Sequence, residues 1–148
     1  VPVADFSSEY SSTPILRYSN PPRRISVRAL IVDDSRATRG IIRKILSEIG
    51  FEVFEAQHGV EALERLKEMG HADVLLVDWN MPEMNGYDFL CSVRANPLYD
   101  KVPLMMVTSE TEVSQIAKAL KAGANEYIMK PFSKEVIREK LSLLGVLP

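Results

Sequence analysis

From residue 27 onward the apolar positions fall into two alternating kinds of run. One kind is short and nearly continuous, which predicts strands; in the other the apolar residues recur every three or four positions, which predicts amphipathic helices. The two kinds alternate with short Gly, Pro or Ser punctuation, the pattern of five βα units around a parallel sheet. Strands are expected at 27–32, 51–56, 73–77, 103–107 and 125–129. Residues 30–32, 74–77 and 104–107 lack polar alternation, as central parallel strands covered by helices on both faces should. Residues 51–56 alternate more, which predicts an edge strand.

The helical stretches are equally readable. Ile41, Ile42, Ile45, Leu46 and Ile49 form one apolar stripe, with Gly50 where a left-handed stop belongs. Ala62, Leu63 and Leu66 mark a second helix ahead of Gly70, and a third carries Cys91. Residues 109–112 (Ser-Glu-Thr-Glu) have a capping-box pattern ahead of a fourth helix that Gly123 ends, and Val136, Ile137, Leu141 and Leu144 define the fifth.

Composition adds bounds. A chain of 148 residues, 46% apolar and 26% charged, fits one compact domain that buries roughly two-thirds of its surface without disulfide or metal staples. Cys91 stands alone, is read as a small buried apolar residue, and agrees with a reducing, cytoplasmic compartment. A net charge of −2 supplies no broad positive field for nucleic acid or anionic lipid, so the expected partners are proteins or small molecules. No apolar run approaches the roughly 20 residues of a membrane span, and the N-terminus lacks a secretory signal pattern. Residues 1–26 hold four of the nine prolines and six serines, and are read as a flexible extension, basic at Arg23, Arg24 and Arg28 where it meets the 27–148 domain.

In an open parallel sheet, ligands bind beyond the carboxyl ends of the strands. There the first strand ends in Asp33-Asp34, the third in Asp78, the fourth in Thr108 and the fifth in Lys130-Pro131; the second ends in nothing comparable. With the first and third strands adjacent, three carboxylates would converge and repel one another unless a cation intervened. Oxygen-only ligands suit Mg²⁺, or Mn²⁺ as a substitute, and neither His58 nor His71 follows a strand end to favour zinc. A carboxylate in such a site can also act as nucleophile and form an acyl phosphate, with the Thr108 hydroxyl and Lys130 ammonium holding phosphoryl oxygens. Helix capping by the Asp pair is the plainer alternative.

Val32-Asp33-Asp34-Ser35, Val77-Asp78-Trp79-Asn80-Met81-Pro82 with Asn85-Gly86, Val107-Thr108-Ser109 and Lys130-Pro131-Phe132 together resemble a CheY-like receiver domain of two-component response regulators. The resemblance implies a flavodoxin-like, doubly wound five-stranded parallel sheet of order 2-1-3-4-5 with helices on both faces. It implies Asp78 as phosphoacceptor, Asp34 as direct Mg²⁺ ligand, Asp33 as ligand mainly through water, and the Asn80 carbonyl as a further one. Thr108 and Lys130 are implied as phosphoryl contacts, with a cis Lys130–Pro131 bond. Tyr127 takes the position of an aromatic switch coupled to Thr108, and Asn80 and Glu110 take positions that tune acyl-phosphate lifetime.

The function implied is a phosphorylation-dependent switch. A histidine kinase or phosphotransfer protein donates, a downstream protein target responds, and the domain catalyses its own phosphorylation and dephosphorylation without being an enzyme on a substrate pool. The end of the chain soon after the fifth helix is read as a stand-alone receiver, with an upstream domain as the competing reading. A phosphohydrolase with an Asp nucleophile is a different class, and the amide of Asn80 stands where its second Asp would be. A nucleotide- or flavin-binding module would want a Gly-rich loop where Asp33-Asp34-Ser35 is acidic. A degenerate receiver that only binds is the third competitor.

Overall fold

The computed structural model describes residues 26–148, with the backbone alone for 110–112. The Ser/Pro-rich extension, apart from Ser26, lies outside the described residues. Strands β1 (Arg28–Val32), β2 (Glu52–Ala56), β3 (Val74–Asp78), β4 (Leu104–Thr108) and β5 (Glu126–Met129) alternate with helices α1 (Arg36–Ile49), α2 (Gly59–Met69), α3 (Gly86–Ala95), α4 (Ile116–Ala122) and α5 (Lys134–Leu143). All strand pairs are parallel, in the order 2-1-3-4-5.

Side chains alternate across the sheet and build two apolar layers. On one face Leu30, Val32, Leu75, Val77 and Met106 pack against Leu66 of α2 and Phe89 and Leu90 of α3, with Ala119 of α4. On the other, Ile31, Leu76, Met105 and Val107 pack against Ile42 and Leu46 of α1 and Ile137 and Leu141 of α5. β3 and β4 are buried along their whole length, while β2 is only partly covered, as expected of a sheet edge. Gly50 and Gly123 end α1 and α4 with φ of 120° and 118°, a region closed to most side chains.

Two local expectations are corrected. Ile41 is 56% exposed, because the core-facing stripe of α1 is narrower than the apolar set and only Ile42, Ile45 and Leu46 are buried with it. The segment after Thr108 does not open a capped α-helix. It runs as a 3₁₀ helix from Glu110 to Gln115, and α4 then starts behind Gln115, which makes no side-chain cap bond.

Candidate functional site

The site is built at the carboxyl edge of β1, β3, β4 and β5. Asp33 and Asp34 leave β1 just before α1, but neither caps the helix. Ser35 does, its hydroxyl accepting from the Thr38 N–H at 3.2 Å. Asp33 is buried and its Oδ1 accepts from the Ser35 N–H at 2.8 Å, while Asp34 is exposed at the mouth of the crevice. Asp78 ends β3 and is also buried. One carboxylate oxygen from each of Asp33, Asp34 and Asp78 lies within 4.8 Å of the others.

Lys130 reaches in from the end of β5. Its Nζ stands 3.3 Å from Asp78 Oδ1 and 3.4 Å from Asp33 Oδ2, the two carboxylates with which it pairs. The Lys130–Pro131 bond is cis, and the Lys130 N–H donates to the Thr108 carbonyl at 2.6 Å, tying the ends of β4 and β5 together. Burial alone would depress the Lys130 pKa, but the facing carboxylates of Asp78 and Asp33 outweigh it and raise it. The Asp78 pKa is raised as well: burial and the neighbouring Asp33 charge push it up to about 6 against the pull of Lys130.

A close approach of backbones shapes the loop beside Asp78. The Gly86 N–H donates to the Trp79 carbonyl at 2.9 Å, and a Cβ on Gly86 would collide with the Asp78 carbonyl oxygen. Pro82 accepts from the Met84 N–H at 2.7 Å, and Glu83 between them adopts φ of 67°. Trp79 is buried next to Asp78, its ring 5.7 Å from that of Tyr87.

The crevice fits a hard divalent cation on two observations. Its donors are carboxylate oxygens only, and burial together with the neighbouring Asp33 charge leaves Asp78 with an anomalously high proton affinity. Thr108 Oγ1, buried at the end of β4, has no hydrogen-bond partner among the described residues. A buried hydroxyl left unpaired is costly unless a ligand oxygen completes it.

Asp33, Asp34, Asp78 and Lys130 thus meet in one crevice, and Thr108 joins them through its backbone bond to Lys130. Asn80 is exposed on the loop after β3, and the side chain of Glu110 lies outside the described residues. Tyr127 is half-buried; its neighbour in register is Met106, which puts it on the same face of the sheet as Thr108. Cys91 is exposed rather than buried, since its place on α3 is off the Phe89, Leu90 and Val93 stripe, and it neighbours the Tyr87 hydroxyl.

Sequence reasoning missed two residues at the site's flank. Arg39 is a buried charge on α1 that donates to the Asp33 carbonyl, and Glu55 near the end of β2 is its ion-pair partner. Their link depends on β1 lying beside β2, and the only sequence signal was the polar position that interrupts the end of the edge strand.

A 2-1-3-4-5 sheet whose carboxyl edge carries an acidic crevice reached by a lysine defines a class, the phosphoacceptor switch domains of doubly wound α/β type. The profile of the response regulator receiver domain family matches residues 29–142. Chemotaxis protein CheY1 of Helicobacter pylori strain J99 is 47% identical over 119 residues, covering 80% of this chain and 96% of that protein. The CheY homologue of Campylobacter jejuni is 47% identical over 116 residues, 78% of this chain and 89% of the homologue. The structure of Vibrio cholerae chemotaxis protein CheY4 crystallised at low pH superposes with a TM-score of 0.74 at 33% identity, covering 83% of this chain and all of that one (100%). The chain belongs to the response regulator receiver domain family and is CheY-like. It is a phosphorylation-dependent signalling switch of the two-component kind.

Proposed function

We propose that Asp78 is the phosphoacceptor of a histidine-to-aspartate relay and that the crevice around it catalyses the transfer. The observation that carries the reading is the convergence of Asp33, Asp34 and Asp78 within 4.8 Å under the ammonium of Lys130. Asp33, Asp34 and the Asn80 carbonyl, with Asp78 itself, are the groups that would hold Mg²⁺, or Mn²⁺ in its place. When bound, the cation supplies positive charge that offsets the carboxylates' repulsion and draws charge from the transferred group.

In the transfer, an Asp78 carboxylate oxygen attacks the phosphorus of a phosphoimidazole. The new O–P bond forms as the P–N bond breaks, and the imidazole leaves, taking a proton from solvent. Asp78 must be ionised to attack, which a pKa of about 6 already permits at neutral pH. Lys130, released in part from its carboxylate partners, holds one phosphoryl oxygen, and Thr108 Oγ1 donates to another. Movement of Thr108 toward the phosphoryl group opens space on the same face of the sheet for Tyr127, which carries the change to the surface of α4, β5 and α5. There Ala117, Leu120 and Lys121 are all exposed. Asn80 and Glu110 control the access of water to the acyl phosphate and set its lifetime.

The donor is a histidine kinase or phosphotransfer protein, and the acceptor of the signal is a downstream protein. The likeness to chemotaxis proteins supports a chemotactic output and a cytoplasmic location. Among the described residues, no helix is long and apolar enough to cross a membrane. We take the receiver to span 27–148, in keeping with a profile match that begins at residue 29.

The test is intact mass after incubation with Mg²⁺ and a small acyl-phosphate donor, with Trp79 fluorescence followed in parallel. One added phosphoryl group, lost with chelator or in Asp78→Asn, is the expected result. An unmodified mass despite a metal-dependent fluorescence change would reduce the domain to a binding-only receiver for this donor.

A further inference from the structure

Arg39 has no part in the phosphoryl chemistry, yet it is buried with its full charge beside the acidic loop. Its Nη1 donates to the Asp33 carbonyl oxygen at 2.6 Å, and its Nε donates to Glu55 Oε1 at 3.0 Å. Glu55 is itself held from two further sides: Arg43 Nε donates to its Oε2 at 2.7 Å and Arg65 Nε to its carbonyl at 3.0 Å. Arg39, Glu55 and Arg65 line an open polar pocket of about 160 Å³ together with Ala56, Gln57 and Glu61.

The Asp33 carbonyl belongs to the peptide unit that joins Asp33 to Asp34. The other polar atoms of Asp33 are also engaged: its N–H donates to the Ala56 carbonyl at 3.1 Å, its Oδ1 accepts from Ser35, and only Oδ2 turns to Lys130. Arg39 is the side chain that holds the carbonyl of this peptide, between the two residues whose carboxylates reach the crevice.

We infer that Arg39, clamped by Glu55, is a positioning residue for the divalent cation: it fixes the peptide between two of the ligands and so aims both carboxylates. The inference rests on the proposed role of Asp33 and Asp34 as cation ligands. A bare guanidinium at this place would repel a cation, so the sign of the effect separates the two possibilities. The pairing with Glu55, which Arg43 shares, offsets part of that field, and the geometric contribution outweighs the remainder.

The experiment is a Mg²⁺ titration by Trp79 fluorescence and calorimetry on the full chain and on Arg39→Gln, Arg39→Lys and Glu55→Gln. Arg65→Gln, which loses a bond to Glu55 but not to Asp33, serves as comparison. Urea stability and hydrogen exchange of the Ser35 amide in metal-free buffer are measured on each. Arg39→Gln and Arg39→Lys are expected to bind Mg²⁺ about tenfold more weakly, with faster Ser35 exchange, and Arg65→Gln is expected to bind like the parent. Lysine fails as glutamine does, because its ammonium lacks the rigid fork by which Arg39 Nη1 and Nε donate to the Asp33 carbonyl and Glu55 in two fixed directions. A loss of stability at unchanged affinity, or tighter binding in either Arg39 variant, overturns the inference alone. A parent chain that binds no Mg²⁺ overturns the cation reading itself and this inference with it.

Discussion

Replacing Asp78 by Asn should make the metal-free protein more stable at neutral pH, although it removes a partner of Lys130. The reason is the cost of an ionised carboxylate in this crevice. Burial, first, and the charge of Asp33 push the Asp78 pKa from 3.8 to about 6, with the attraction of Lys130 already included in that balance. A tenfold change in proton affinity corresponds to about 1.4 kcal/mol, so a rise of this size amounts to about 3 kcal/mol; the access of solvent through the crevice mouth reduces it to about 2 kcal/mol. The sign follows from linkage. The folded state binds the Asp78 proton more tightly than the unfolded chain, so this group's contribution to stability is fully present below 3.8 and is lost as pH rises through about 6. Asn keeps the neutral form at every pH. Urea denaturation followed by far-UV dichroism in chelator should find Asp78→Asn ahead by about 2 kcal/mol at pH 7.5, with the gap closing as pH falls from about 6 toward 4. Equal stabilities at pH 7.5, or a gap that does not change with pH, would refute the assignment of strain to the ionised crevice.

Further outcomes follow from the structure. Lys130→Ala removes the ammonium that now stands 3.3 Å from Asp78 and 3.4 Å from Asp33, so Mg²⁺ should bind more tightly in a fluorescence titration. Phosphorylation by a small donor should nevertheless slow on the order of 100-fold, as expected when a charged contact to the transferring group is lost. Mg²⁺ at a hundred times its dissociation constant should stabilise the parent by about 2.7 kcal/mol in urea and should leave Asp78→Asn much less affected. Gly86→Ala should cost about 3 kcal/mol, because the new Cβ meets the Asp78 carbonyl. Gly40→Ala, in the same chemical sense but with nothing within 4 Å, should gain about 1 kcal/mol. Thermal melts of the two glycine variants decide between a steric and a purely conformational role for Gly86.

Much of this arrangement was legible in the amino-acid sequence because parallel strands and strand ends obey simple rules. Residues 30–32, 74–77 and 104–107 had to be buried on both faces, and they are; the alternating 51–56 stretch had to be an edge, and β2 is one. The convergence of Asp33, Asp34, Asp78 and Lys130 followed from their places immediately after strands that share one carboxyl edge. Periodicity was less informative about the width of a helix face. It counted Ile41 into the α1 stripe, though that residue points away from the core, and composition made Cys91 buried although α3 turns it outward. The segment after Thr108 has a capping-box pattern in sequence but winds first as a 3₁₀ helix, which a local pattern of four residues does not distinguish from the start of an α-helix. The Arg39–Glu55 pair was hidden for another reason. The two are 16 positions apart, and nothing local distinguishes a buried arginine on α1 from a solvated one until β2 is known to lie beside β1.

The central claim is that Asp78 is the residue that carries the phosphoryl group. Its most direct test is to phosphorylate the protein with Mg²⁺ and a small acyl-phosphate donor, reduce the product with borohydride, and map the reduced residue by peptide mass spectrometry. Borohydride converts an aspartyl phosphate to homoserine, so the account predicts homoserine at Asp78 alone. Homoserine at Asp33 or Asp34, or a phosphoryl group that survives reduction on a hydroxyl such as that of Thr108, would contradict it.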